Sequence, residues 1–98
     1  MTLRIDSSSV PLLDGAMDAW KAGAMNDGLK RNASYLEPLV EWKVADPGIR
    51  ALLCDPQTSG GLLVAVHPDR VSHYLSRVEG ATEIGEVIER DTFALVVD

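Results

Sequence analysis

Asp55-Pro56-Gln57-Thr58-Ser59-Gly60-Gly61-Leu62-Leu63-Val64-Ala65-Val66 joins a dense polar turn to an uninterrupted apolar run. The run, Leu62 to Val66, is closed by His67 and Pro68. A short apolar stretch bounded by turn residues predicts a strand buried on both faces or at a sheet centre. The turn before it concentrates small polar residues and two adjacent glycines, which places a sharp connection between the sheet and whatever precedes it.

Reading outward towards the C-terminus, Pro68 opens an amphipathic helix with Val71, Tyr74, Leu75 and Val78 on one face and Asp69, Arg70, His73 and Arg77 on the other. Gly80 lies beyond its end. Thr82 to Ile88 and Thr92 to Val97 are rich in β-branched residues and are separated by Glu89, Arg90 and Asp91, which predicts a terminal hairpin. Towards the N-terminus, Asp46 caps a short helix opened by Pro47 and anchored by Ile49, Leu52 and Leu53. Leu39 to Lys43 alternates as a strand does. Asn26 to Pro38 has no sustained period and reads as a long connection. Leu13, Ala16, Met17 and Trp20 recur at helical spacing, predicting a helix from about Pro11 to Ala22 with Gly23 at its exit. Leu3 to Ile5 forms a short strand that Ser7, Ser8 and Ser9 end.

The expected architecture is α+β: one domain over residues 1–98, a layered mixed sheet with helices packed on one face. Composition agrees with a folded globular chain, since 46% of residues are hydrophobic and 24% charged. The net charge of −6 and the lack of a Lys/Arg cluster argue against nucleic acid as a partner, because phosphate-backbone binding needs a basic stripe. The apolar runs fall far short of the roughly 20 residues that cross a bilayer, so no membrane partner is expected. The single cysteine, Cys54, can form no internal disulfide, and Met1 onward shows no basic segment leading into an apolar one. A cytoplasmic location is expected.

The stretch with chemical content is the turn Asp55, Pro56, Gln57, Thr58, Ser59, Gly60, Gly61. Paired glycines permit close backbone approach, and the Thr58 and Ser59 hydroxyls with nearby amides can donate to an anion. The same residues equally suit a turn in which Asp55 and Thr58 cap local backbone groups. The stretch is not a Walker A loop, because its Gly, four residues, Gly, Lys, Ser/Thr pattern is absent.

Elsewhere no catalytic residue and no metal site are assigned. Cys54 ends an apolar helix without a Lys or His neighbour to lower its pKa, which suits a buried structural thiol. His67 and His73 lack ligand spacing with each other or with Cys54. Asp14, Asp46 and Asp55 form no recognisable acid and base pair. Lys30, Arg31 and Asn32 fall in the expected connection, where they are either solvated or within reach of phosphate.

Leu52-Leu53-Cys54-Asp55-Pro56-Gln57-Thr58-Ser59-Gly60-Gly61-Leu62-Leu63 closely resembles the signature of the C-terminal domain of bacterial selenophosphate synthetases. Val10-Pro11-Leu12-Leu13-Asp14-Gly15-Ala16, on through Gly23 to Asn32, resembles the stretch preceding that signature, and Ile84-Gly85-Glu86-Val87 is similar to the penultimate strand. The resemblance implies a C-terminal domain like that of aminoimidazole ribonucleotide synthetase-related enzymes, packed beside an N-terminal ATP-binding domain as its partner. It implies a reaction of ATP, selenide and water that gives selenophosphate, AMP and phosphate, with ATP and magnesium required by the full-length enzyme and no cofactor held by this chain. The N-terminal domain, with its reactive Cys or selenocysteine, Lys and metal-binding aspartates, and the Asp-x-Thr-Gly-Phe-Gly opening segment are not in this sequence. The chain is therefore expected to be inactive alone. A homodimer is expected to cover the apolar surface left open. The alternative is a stand-alone interaction or anion-binding module without catalysis.

Overall fold

The computed structural model describes residues 1–98. Its regular elements are β1 (Thr2–Ile5), α1 (Ala16–Lys21), α2 (Asp27–Leu36), β2 (Val40–Trp42), α3 (Pro47–Leu53), α4 (Val71–Arg77), β3 (Gly85–Ile88) and β4 (Leu95–Val97), with single 3₁₀ turns at Ser7–Ser9 and Pro68–Arg70. The strands make one mixed sheet in the order β2-β4-β1-β3, so the α+β reading holds. β4 runs parallel to both β2 and β1, whereas β3 is antiparallel to β1.

Residues at one register position share a face of the sheet. Arg4 pairs with Val96 and Glu86, and Val96 with Glu41, which makes one face charged. Leu3, Ile5, Val40, Trp42, Val87, Leu95 and Val97 occupy the other. Surface ion pairs lace the charged face, Arg4 to Glu86 at 3.6 Å and to Asp98 at 3.4 Å, each worth under about 1 kcal/mol in water. β4 has neighbours on both edges, and its Val96 and Val97 are 2% and 1% exposed.

Helices α1, α2 and α3 gather at the β2 end. Asp46 caps α3 as expected, its Oδ1 accepting from the Gly48 N–H at 2.7 Å, with Pro47 opening the first turn. Arg50 reaches back from α3, where Nε donates to the Val44 carbonyl at 2.7 Å and the guanidinium lies 5.9 Å from the Trp42 ring centre. α1 packs against α3 at Gly48, where a Cβ would stand 2.7 Å from Met17 Sδ. Because two Trp20 ring atoms would lie 2.9 Å from the same Cβ, the close approach requires glycine or a shift of both Met17 and Trp20.

Four sequence expectations are corrected. Leu62 to Val66 is not a strand: it lies outside every regular element, with Leu62 93% and Leu63 64% exposed. Its apolar pattern asks for burial, but no strand of this chain pairs with it. The connection expected over Asn26 to Pro38 contains α2, whose start Asn26 caps by accepting the Leu29 N–H on Oδ1 at 2.8 Å. The first helix begins at Ala16 rather than Pro11, because Gly15 at φ 78° turns the chain immediately before it. The terminal hairpin is split, since β1 inserts between β3 and β4. Thr2 is the pin, for its Oγ1 donates to the Phe93 carbonyl at 2.7 Å and accepts the Asp91 N–H at 2.9 Å.

Candidate functional site

The turn singled out in the sequence leaves the C-terminal end of α3. Cys54 caps that helix and is 3% exposed, and the Asp55 N–H donates to the Leu52 carbonyl at 3.2 Å. Beyond Asp55 the chain comes into solvent, with Pro56, Gln57, Thr58, Ser59, Gly60 and Gly61 all exposed. Their amides and the Thr58 and Ser59 hydroxyls donate to no protein acceptor. Neither Gly60 nor Gly61 has positive φ, so the pair does not serve the left-handed backbone that adjacent glycines suggest. What Gly60 provides is space: a Cβ there would stand 2.9 Å from Gln57 Oε1, which folds over it.

The turn is not free-standing, because α2 braces its base. Asn26 Nδ2 donates to Asp55 Oδ1 at 3.2 Å while the same side chain caps α2. Asn32 Nδ2 donates to the Cys54 carbonyl at 2.9 Å. Between them Gly28 lies so close to Pro56 that a Cβ would approach its Cγ to 2.7 Å. Three residues on one helix thus hold three consecutive residues of the turn. Sequence reasoning did not reach this brace, because Asn26 to Pro38 read as a connection without a sustained period. The available signal was the apolar spacing Leu29, Ala33, Leu36, which continues from an Asn cap.

Asn32→Ala removes the donor to Cys54 and is expected to cost about 1 kcal/mol, lowering the melting temperature of the chain by roughly 4 to 8 °C. Asn32→Asp is expected to cost more, since a carboxylate would then face the carbonyl oxygen. Thermal melts of both variants against the parent check this order, and an Asp variant as stable as the parent would refute the contact.

The other sequence candidates separate from the turn or are already engaged. Lys30 pairs with Asp27 along α2 at 3.7 Å, and Asn32 is committed to Cys54 rather than to any phosphate. Burial pushes the Cys54 thiol up, so it stays protonated at neutral pH and is a poor nucleophile. His67 accepts locally on Nδ1 from the Asp69 N–H at 3.4 Å. No three His, Cys, Asp or Glu side chains stand close enough together to hold a metal ion.

The chain carries two further hollows, one of them beside this arrangement. Trp42, Leu29, Ala33, Ala51, Arg50 and Cys54 line one of about 230 Å³ between the apolar sheet face and helices α2 and α3. The other, about 410 Å³ and open, is formed by Asp6, Glu83, Glu86 and Asp98 around Arg4. Its carboxylates outnumber its one cation, so it repels phosphate. Asp6 is held below the usual carboxylate range by the Ser8 and Ser9 hydroxyls, at 2.6 and 2.7 Å, and by the Ser8 backbone N–H. The Asp55 to Gly61 turn is therefore the place where exposed, unpaired donors accumulate.

No helix is long and apolar enough to cross a membrane. No protein-family model matches the chain. Among curated proteins it is similar to proteins named selenide, water dikinase. The one from Clostridium botulinum (strain Eklund 17B / Type B) is 34% identical over 98% of this chain. That from Aliarcobacter butzleri (strain RM4018) is 36% identical over 100% of it, and that from Pseudomonas aeruginosa PAO1 is 38% identical over 99%. The chain spans only 29 to 30% of the length of these relatives.

Proposed function

We propose, on the premise that this chain belongs to the selenide, water dikinase family, that it is the C-terminal part of a selenophosphate synthetase and completes an active site built mainly elsewhere in that enzyme. The observation that carries the reading is identity of 34 to 38% across essentially the whole chain while less than a third of each relative is matched. Near-complete coverage by enzymes of one name favours this over a stand-alone binding module.

In this reading the enzyme converts ATP, selenide and water into selenophosphate, AMP and phosphate. Phosphoryl transfer consists largely of positioning and of stabilising charge on the phosphate oxygens. The contribution of this chain is the turn: the Thr58 and Ser59 hydroxyls and the amides from Gln57 to Gly61 supply donors to a phosphate oxygen, and α2 braces the base of the turn at Cys54, Asp55 and Pro56. Magnesium is offered a single carboxylate by the turn itself, Asp55. Its ligands and the ATP-binding surface belong to the partner portion. The cytoplasm is the compartment we infer, from the one buried, unpaired thiol at Cys54.

The test is selenide-dependent AMP formation by two proteins: this chain alone, and a full-length selenide, water dikinase in which this chain replaces the matched stretch. The chain alone is expected to be silent and the chimera active. Turnover by the chain alone, or a folded chimera without turnover, would overturn the reading.

A further inference from the structure

Residues 62–66 are the least supported backbone in the molecule. From Pro56 to Val66 no backbone N–H or carbonyl takes part in a hydrogen bond within the chain. In the same stretch Leu62, Leu63 and Val64 are 93%, 64% and 47% exposed, and no charged residue occurs between Asp55 and His67. In extended backbone Leu62 and Val64 face one way and Leu63 and Ala65 the other, so both faces are apolar. A segment of this kind is a sheet-interior strand without its sheet, and unpaired it is an aggregation hazard. The chain's own apolar face is also open at the β1 and β3 end, with Leu3 36% and Val87 44% exposed.

We propose that Leu62–Val66 is a docking strand, which pairs edge to edge with a β-strand in the portion of a selenide, water dikinase that lies outside the matched stretch. This rests on the family reading above and deepens it by naming the segment through which the two parts join. The occupant follows from length and charge. About seven tenths of each relative lies outside the match, enough chain to supply strands at both edges and cover on both faces. A second copy fits worse: each copy carries −6, and pairing two such segments leaves an outer edge and both faces bare. Backbone pairing supplies affinity and the alternating apolar side chains supply specificity.

Amide hydrogen exchange at Leu62 to Val66, compared between the chain alone and the full-length chimera, tests this. Exchange is expected to be fast in the chain alone at every concentration and slowed at least about 100-fold in the chimera. Equal exchange in the two, or slow exchange in the chain alone, would overturn it; slowing that grows with concentration would identify a second copy as the occupant and overturn it too. Leu62→Lys gives a measurement independent of the chimera. In the chain alone it is expected to leave the melting temperature within about 2 °C, and a loss of the size seen for buried leucines would overturn the proposal. A chimera that protects these amides yet makes no selenophosphate would sink the activity reading alone, and an active chimera without protection would sink the docking strand alone.

Discussion

Gly85→Ala is expected to destabilise the chain by about 3 kcal/mol and to lower its melting temperature by roughly 12 to 24 °C. Gly85 faces Ile5 in the antiparallel β1 and β3 pair, and a Cβ there would stand within bonding range of the Arg4 carbonyl oxygen and 3.0 Å from Ile5 Cα. The obstacles are backbone atoms of a central strand, which cannot swing aside as a side chain does. Gly85 does not have positive φ, so no conformational penalty is involved and the cost is steric. The sign is therefore decisive. Were β1 and β3 further apart, alanine would stabilise the strand by about 0.5 to 1 kcal/mol through lost unfolded-state entropy. Urea and thermal unfolding of the variant distinguish the two signs, and a melting temperature at or above the parent's would refute the close approach.

Thr2→Val is expected to cost about 2 to 3 kcal/mol. Thr2 is fully buried, and valine preserves its shape while removing both the bond donated to Phe93 and the bond accepted from Asp91. A buried polar group stripped of its partner costs about 1 to 3 kcal/mol, and here two partners are stripped, although Asp91 is exposed and regains water. Thr2→Ser keeps the hydroxyl and loses one methyl, a cost of about 1 kcal/mol. Denaturant unfolding should rank the parent above serine and serine above valine. Valine ranking above serine would mean that packing, not the hydroxyl, holds this position.

What the sequence revealed follows the range of the interaction involved. The Asp46 and Pro47 opening of α3 was legible because a cap and a first-turn proline act within three residues. β1 was legible as the short stretch Leu3 to Ile5 and β2 as the alternation from Leu39 to Lys43, and the polar turn from Asp55 to Gly61 was located for the same local reason. The partner of each strand was not legible. Thr82 to Ile88 and Thr92 to Val97 suggest a hairpin by adjacency, and only β1, some ninety residues away, separates them. α2 was hidden by a local conflict, since Gly28 favours a turn while Asn26 and the Leu29, Ala33 spacing favour a helix. Packing of Gly28 on Pro56 decides it, and that contact spans 28 residues. Leu62 to Val66 shows the limit from the other side: its apolar pattern states that it is to be covered and is silent on what covers it.

The position of β1 between β3 and β4 also orders events in time. Residues 2–5 are synthesised before their partners at 85–88 and 95–97, with every helix of the chain made in between. At about 5 to 20 residues per second the leading strand waits roughly 5 to 20 s before either neighbour exists. During that interval the sheet cannot form, while α3 and the apolar run after it are already outside the tunnel. Such a chain depends on what shelters it during synthesis, and loss of β4 would leave β2 without a partner strand and reduce the sheet to the β1 and β3 pair.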